Sequence, residues 1–344
     1  QLSLAFGPAI KHMLTYTIKR LLQLVPIMFV VSVVAYAIIE LPPGDFADFY
    51  ISSLRATGLT VLEDEAARIK DQYGFNKPLV ERYLRWVENI IFHGNFGYSF
   101  EYQKPVNEII AEKLPLSIGL TFGALIISWA LAIPIGIYSA IHQYSKFDYF
   151  FTFVGFLGLA TPPFLMALIF AWLFLKFFDY SVLGLYSPEY VTAPWSFDKF
   201  IDLCKHLILP VILIGLQGTG TIIRVMRGNL LDELKKPYVI TAKAKGLKFR
   251  DLLMKYPVRM AINPIISTIG WLLPALIAGE ILISIVLGIQ TLGPVLLRSV
   301  LSQDMWLAAS IVMILSLLTI IGSLISDLLL VWLDPRIRFE RLSK

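Results

Sequence analysis

The sequence predicts an all-α membrane protein with six transmembrane helices, both termini in the cytoplasm and one structured cytoplasmic loop. Three observations support this class: an apolar composition, a series of long uncharged runs, and basic residues gathered on one side of those runs. Of the 344 residues, 57% are hydrophobic and 16% are charged, and the mean hydropathy is +0.70. Soluble domains average about a quarter charged residues, so the composition indicates a membrane protein.

Six uncharged runs supply the candidate transmembrane helices. A membrane-spanning helix needs about 20 consecutive, mostly apolar residues. The runs lie at residues 21–39, 114–141, 149–175, 207–223, 261–279 and 306–332, and only Asp327 interrupts the last. Residues 281–297 are also uncharged. Their "LGIQTLGP" contains two glycines and a proline, which favours a bent or re-entrant segment over a seventh span.

The order of these runs divides the chain into five segments. Residues 1–12 lack the pattern of a signal peptide, and we expect them to be a remnant of cloning. Residues 13–40 hold the first transmembrane helix, and 41–113 form an extracytoplasmic loop. Residues 114–333 form a core of five transmembrane helices, with a cytoplasmic loop at 228–262. Residues 334–344 form a cytoplasmic tail.

Charge orients the chain in the membrane. Cytoplasmic loops carry an excess of Lys and Arg. Residues 235–259 contain eight Lys or Arg against one acidic residue, Asp251, whereas 41–113 contain eleven acidic and eight basic residues. The basic tail "RIRFERLSK" shares its side with Lys19 and Arg20 only if the number of spans is even. The positive charge of the 235–259 loop is not by itself evidence of a function, because cytoplasmic loops in general tend to be basic.

Charge does not explain the rest of this loop. Pro237 suits the first turn of a helix, and Gly246 suits a left-handed stop. The following "KFRDLLMKY" predicts a second helix that ends at Pro257. Apolar residues recur at Val239, Leu247, Leu252 and Leu253. Loops of this length are usually functional or disordered, and this composition is not that of disorder, so we interpret the loop as a docking surface.

Several segments carry a family resemblance. "YVITAKAKGL" followed by "PVRMAINP" resembles the cytoplasmic coupling motif of ATP-binding-cassette importer permeases, in the variant of the dipeptide/oligopeptide permease family. The family usually has Arg where Ile240 stands and often at Lys243, and its Arg-Asn-Ala element is replaced here by Arg259-Met260-Ala261. The segments "LPPGDF", "GNFGYSFEYQKPVNEII", "HLILPVILIGLQGTGTIIRV" and "LDPRIRFE" are also similar to family segments in the same order.

The resemblance implies an importer subunit in the cytoplasmic or inner membrane of a prokaryote. Two homologous permeases would form the pore, two cytoplasmic ATPases would bind ATP and Mg²⁺ and dock on a coupling helix, and an extracytoplasmic binding protein would deliver substrate. The long loop 41–113 is typical of one permease of the pair. The residues that the resemblance places at the ATPase contact are Tyr238, Thr241, Ala242, Ala244, Lys245, Gly246 and Leu247. Ala242 and Ala244 would permit a close approach, and Gly246 would set the turn.

The resemblance leaves the substrate open. The family carries dipeptides, oligopeptides, nickel complexes and, in some members, oligosaccharides. In such importers the binding protein makes most of the selection. The candidate pore or gate residues are Glu280, which we expect at the outer end of the 261–279 run, together with Asp327 and Gln217. For Asp327, a hydrogen bond within the helix packing is the simpler role, because intramembrane polar groups usually pair with neighbours.

The residues also exclude several kinds of site on this chain. "GIQTLGPV" has the glycine spacing of a phosphate loop but has Pro294 and Val295 where Lys and Ser or Thr are required. The four histidines are scattered and Cys204 is the single cysteine, which gives no metal-ligand spacing. No cofactor, metal or nucleic-acid site is expected. The second function considered, after an importer, is an ion-coupled secondary transporter or channel, and the third is a membrane enzyme. Neither of these alternatives requires the coupling motif.

Overall fold

The computed structural model describes residues 22–37 and 77–333, together with positions 18, 48, 51, 52 and 68. Most of these residues are helical, in agreement with the predicted all-α class. The helices are α1 Leu22–Ala37, α2 Leu79–His93, α3 Val106–Ile141, α4 Lys146–Ala160, α5 Pro163–Phe178, α6 Pro188–Val191, α7 Phe197–Leu234, α8 Pro237–Ala244, α9 Phe249–Lys255, α10 Pro257–Ser267, α11 Ile269–Leu287, α12 Leu292–Leu301 and α13 Met305–Leu333. Strands β1 Tyr98–Ser99 and β2 Lys104–Pro105 form an antiparallel hairpin.

The chain folds as two compact units. The first comprises Gln1–Pro115 and Pro294–Ile320, and the second comprises Leu116–Gly293 and Ile321–Lys344. The predicted segments 1–12 and 334–344 lie outside the described residues, as does most of the predicted extracytoplasmic loop before residue 77.

Aromatic side chains form the core of the first unit. The ring of Trp86 lies 5.7 Å from that of Tyr36 and 6.1 Å from that of Trp306, measured between centroids. The indole nitrogen of Trp86 donates a hydrogen bond to the Phe96 carbonyl at 2.9 Å. Paired aromatic rings add to the stability that burial alone provides. This core therefore fixes α2 and the approach to β1.

Helix α7 is the centre of the second unit. It packs against α4, α5, α10 and α11. A Cβ added to Gly215 would lie 2.9 Å from the Ala124 carbonyl oxygen, and one added to Gly220 would lie 2.5 Å from the Gly155 carbonyl oxygen. Small residues allow such close approach between membrane helices. Helix α7 therefore packs closely on its neighbours through its glycines.

The described residues contain three helices long and apolar enough to cross a membrane: Val106–Ile141, Phe197–Leu234 and Met305–Leu330. The count rises to five if each of two bent helix pairs is one span. These pairs are Lys146–Ala160 with Pro163–Phe178, and Phe249–Ser267 with Leu272–Leu287. Helix α1 is shorter, and the ends of the predicted 21–39 span lie outside the described residues. The count of six spans and the location of the termini stay predictions.

The predicted span at 149–175 is broken. Helices α4 and α5 meet at an angle of 109°, with Pro162 as the residue that precedes α5 and Pro163 in its first turn. Proline lacks the amide hydrogen that a continuous helix needs and restricts the residue before it. A run that is uninterrupted in hydropathy is therefore interrupted in structure.

The predicted span at 261–279 does not coincide with an observed helix at either end. Its residues belong to α10 and α11, which are separated by Thr268, and α11 continues through Glu280 to Leu287. Glu280 lies within α11 and does not end it. Its buried carboxylate accepts a hydrogen bond from the Ser284 hydroxyl at 2.8 Å. Gly288, with φ +69°, ends α11, and the ten-residue α12 follows. Residues 281–297 are therefore interrupted at Gly288, as the glycines predict, and their re-entrant course stays a prediction.

Candidate functional site

The basic loop folds into a helical hairpin, which we call the coupling hairpin and define as residues 235–259. Helix α7 runs to Leu234, so the first residues of the predicted loop, which starts at 228, are helical. Lys236 has an extended backbone, and Pro237 occupies the first turn of α8. Helix α9 ends at Lys255, and Pro257 starts α10. The two predicted helices of the hairpin are confirmed.

A glycine turn joins the two helices of the hairpin. Gly246 has φ +76°, and nothing lies within 4 Å of a Cβ built on it. Its amide donates to the Lys243 carbonyl at 3.0 Å, and the Leu247 amide donates to the Ala242 carbonyl at 3.4 Å. A residue with a Cβ carries a backbone penalty in this conformation, which glycine avoids. The predicted left-handed stop is therefore present.

The hairpin has its own small core. Val239, Ala242 and Leu252 are buried, and Leu247 and Tyr256 pack against them. Val239 and Ala242 are three residues apart, and residues at that spacing share one face of a helix. The α8 face that carries them therefore lies against α9, and the loop is a packed element rather than a connector.

This packing corrects one predicted site residue. Ala242 was expected to supply a close approach for a partner, but it is 8% exposed and lies inside the hairpin core. The other predicted contact residues that are exposed are Tyr238, Thr241, Ala244, Lys245 and Gly246. The hydroxyl of Thr241 donates to the Pro237 carbonyl at 3.0 Å, which steadies the first turn of α8. Ala242 and the half-buried Leu247 thus position the exposed residues.

A carboxylate at the end of α7 holds the start of the hairpin. Glu233 accepts hydrogen bonds from the Tyr238 hydroxyl at 2.5 Å and from the Lys236 ammonium at 2.6 Å. Burial, the hydrogen bond to Glu233 and the charge of that carboxylate raise the pKa of Tyr238 above its usual value. Glu233 was not predicted as part of the site, although the sequence places this acid three residues before Lys236.

The hairpin also exposes apolar side chains among its charges. Ile240, Phe249 and Met254 are 62%, 54% and 56% exposed. All eight Lys and Arg side chains of the hairpin are exposed as well. Apolar side chains rimmed by charges mark a protein interaction site when they form one contiguous patch. The eight exposed cations suit a partner with an acidic surface.

The predicted translocation-path residues lie deeper in the second unit. Glu280 is 2% exposed, within α11 and away from a helix end. Gln217 of α7 lies against the neighbouring Gly279, where an added Cβ would be 2.6 Å from the Gln217 side-chain oxygen. Asp327 is half-buried on α13. The structure brings Gln217 close to Gly279, the residue before Glu280 in α11. The sequence did not predict this proximity.

Other chemistry is limited in the part of the chain that the structure describes. No group of three or more His, Cys, Asp or Glu side chains there is placed to hold a metal ion. The glycines of "GIQTLGPV" have local structural roles: Gly288 ends α11, and Gly293 lies where an added Cβ would be 2.5 Å from the Ile281 side chain.

Known protein families and individual proteins are similar in sequence to nearly the whole chain. Residues 132–339 match the family described as binding-protein-dependent transport system inner membrane component, and residues 13–121 match the N-terminal family of the same membrane components. The oligopeptide transport system permease protein AppB of Bacillus subtilis is 30% identical over 95% of this chain and 100% of its own length.

Two further relatives match to a similar extent. The oligopeptide transport system permease protein OppB of Haemophilus influenzae is 30% identical over 95% of this chain and 100% of its length. The peptidoglycan transport system permease protein YejB of Agrobacterium fabrum is 31% identical over 95% of this chain and 98% of its length.

Proposed function

Because this chain belongs to the family of binding-protein-dependent transport permeases, we propose that it forms half of the pore of an ATP-driven importer for peptides or peptide-sized solutes. The chain is a permease subunit of an ABC importer and a multi-pass membrane protein. The relatives named for oligopeptide and peptidoglycan transport favour a substrate class of short peptides, with or without attached sugars.

The coupling hairpin is the structural feature that supports coupling between ATP hydrolysis and transport. Its own core and its Glu233 anchor make it a compact body joined to the end of α7. Two cytoplasmic ATPases bind and hydrolyse ATP with Mg²⁺, and one of them docks on the exposed face of this hairpin. Because α7 is the central helix of the second unit, a displacement of the hairpin is transmitted directly to the helices around it.

The partner set follows from the same proposal. A second, homologous permease completes the pore, and an extracytoplasmic binding protein delivers the substrate. The chain spans the cytoplasmic or inner membrane of a prokaryote six times, with both termini in the cytoplasm. The charge difference between residues 235–259 and 41–113 supports this orientation. This chain binds no ATP itself, because "GIQTLGPV" lacks the residues that reach phosphates and Mg²⁺.

An ion-coupled carrier or channel is not supported, because the curated relatives are permease subunits of transport systems of this family.

The test is reconstitution in vesicles. The full chain, a second permease and two ATPases are placed in vesicles with the binding protein and a labelled oligopeptide outside. We expect uptake that requires ATP on the cytoplasmic side, and no ATP hydrolysis by this chain alone. Saturable ATPase activity from the single chain, or uptake driven by an ion gradient without ATP, would overturn the assignment.

A further inference from the structure

A groove between α4 and α7 has no role in the proposed transport cycle. Its volume is about 230 Å³. One wall is apolar and is formed by Phe151, Phe156 and Leu159, with the hydroxyl of Thr152 beside them. The opposite wall carries two guanidinium groups, those of Arg224 and Arg227. A site that combines an apolar wall with two cations suits a ligand that is itself part anion and part hydrocarbon.

The position of the groove along α7 relates it to the membrane surface. Residues 207–223 are uncharged, and Arg224 is the first charged residue after them. Arg227 follows three residues later, on the same face of the helix. The coupling hairpin begins two turns beyond, and α4 begins at Lys146 after a short turn. The arginines therefore lie where the hydrocarbon core meets the headgroups, on the side of the basic hairpin.

The two arginines differ in how far their charges are neutralised. Arg227 forms an ion pair with Asp148, at 3.1 Å between the guanidinium and a carboxylate oxygen. The Nε of Arg227 is buried and has no hydrogen-bond partner among the described residues. Arg224 is exposed, and its guanidinium carbon lies 5.2 Å from the centre of the Phe156 ring. It forms no ion pair with any described side chain, so the groove keeps one net positive charge.

We propose that this groove binds the headgroup of an anionic phospholipid of the cytoplasmic leaflet. The phosphodiester accepts hydrogen bonds from Arg224 and from the Nε of Arg227, and the acyl chain lies along Phe156 and Leu159. Arg is well suited to phosphate because its planar fork donates two parallel hydrogen bonds. Basic pockets between transmembrane helices on the cytoplasmic side are a known form of site for anionic lipids. The assignment to that leaflet rests on the orientation in the proposed function.

The test measures lipid retained by the full chain after purification in a mild detergent and incubation with phosphatidylglycerol or phosphatidylcholine. Native mass spectrometry counts bound lipids per chain. We expect wild type to retain phosphatidylglycerol preferentially. Arg224→Gln should lower its retention by about tenfold, which corresponds to the loss of about 1.4 kcal/mol. Arg224→Lys keeps the charge but not the fork, and should retain an intermediate amount.

The matched control is Lys146→Gln. It removes one positive charge close to the groove in sequence, on the same side of the membrane, from a side chain that does not line the groove. Retention in this variant should equal that of wild type. An equal loss in Lys146→Gln and Arg224→Gln would show that net charge alone attracts the lipid, and would overturn the site.

Two other outcomes would also overturn the proposal. Equal retention of phosphatidylcholine would show a purely apolar groove, and displacement of phosphatidylglycerol by inorganic phosphate would show a site for free phosphate instead. Because no ATPase or substrate is present, a failure here leaves the transport function standing. A failure of ATP-dependent uptake would likewise leave the lipid result unchanged.

Discussion

A single carboxylate, Asp304, connects the β-hairpin of the first unit with the start of α13. The Ser99 hydroxyl donates to it at 2.6 Å, and the Glu101 amide donates at 3.1 Å. Glu101 also pairs with Arg298, at 2.6 Å. Burial raises the pKa of Asp304 above its ordinary value, against the hydrogen bonds from Ser99 and the backbone, which lower it.

This shift predicts a pH dependence of stability. Between the ordinary pKa of 3.8 and the raised folded value, the native chain holds more protons than the unfolded chain. The free energy of unfolding therefore falls as pH rises through that interval. In Asp304→Asn this component is absent, so the stability advantage of wild type over the variant should shrink from about pH 4 towards neutrality. Thermal unfolding of the full chain at a series of pH values measures it.

The control for this experiment is Asp198→Asn, which removes an exposed carboxylate at the start of α7. Glu101 and Arg298 are the charged groups nearest Asp304 in the hydrogen-bond network, and both are retained in each variant. If the control changes the pH profile as much as Asp304→Asn, the buried carboxylate is not its source.

Residue-level predictions from sequence succeeded where the cause was local. Pro237 and Gly246 have the predicted roles because each acts through its own backbone. Ala242 and Glu280 differ from their predicted positions because both depend on tertiary packing. Whether Ala242 faces a partner or α9 is decided by where Leu252 lies. The burial of Glu280 is accompanied by a hydrogen bond from Ser284, one turn further along α11.

Among the helices, the contact between α4 and α7 depends on two facing glycines. A Cβ on Gly220 would lie 2.5 Å from the Gly155 backbone oxygen, which cannot move aside as a flexible side chain would. We expect Gly220→Ala to destabilise the second unit by about 1–3 kcal/mol, the usual cost of overpacking. A lower unfolding temperature of the full chain would be the measured result.

Gly228→Ala is the matched control on the same helix. Nothing lies within 4 Å of a Cβ built at Gly228, so this change relieves only the helix cost of glycine, about 1 kcal/mol. The control should therefore be as stable as wild type or slightly more stable. If both variants unfold at the wild-type temperature, close packing of α7 on α4 is not a source of stability.

At this scale, hydropathy predicted where helices occur but not how they are divided. The runs at 114–141, 207–223 and 306–332 lie within single helices, α3, α7 and α13. The run at 149–175 is divided at Pro162, and the run at 261–279 at Thr268. Hydropathy reports what a segment can bury in lipid. It carries no information on bend angle, which depends on the neighbouring helices.

For the whole molecule, topology is the first quantity to measure. We predict six spans with residues 41–113 outside and both termini inside, from the distribution of Lys and Arg. The chain has one cysteine, Cys204, and replacing it with serine gives a background for labelling. A membrane-impermeant thiol reagent added outside cells should label a cysteine at Ser52 and spare one at Ser343. Labelling of both positions from outside would contradict the even number of spans.

The central claim concerns the coupling hairpin, and one substitution tests it. Gly246→Val forces a branched side chain into φ +76° with open space around it, so the cost is a backbone penalty of roughly 1–2 kcal/mol. The second unit should remain folded and inserted, because the proposed topology places the hairpin outside the bilayer core. Its turn, however, can no longer keep α8 and α9 at the native angle.

The control carries the same strain elsewhere. Gly94 follows α2 with φ +61°, and it too has nothing within 4 Å of an added Cβ. Gly94→Val should transport at the wild-type rate, because the first unit does not contain the coupling hairpin. The comparison separates the position of the strain from its size.

The decisive measurement is ATP-dependent uptake of a labelled oligopeptide, together with the amount of ATPase bound, in the same reconstituted vesicles. For Gly246→Val we expect normal insertion of the chain and a sharp loss of uptake, with ATPase either released or bound without driving transport. Wild-type uptake with full ATPase binding in Gly246→Val would contradict it, and the hairpin would then be only a basic connector.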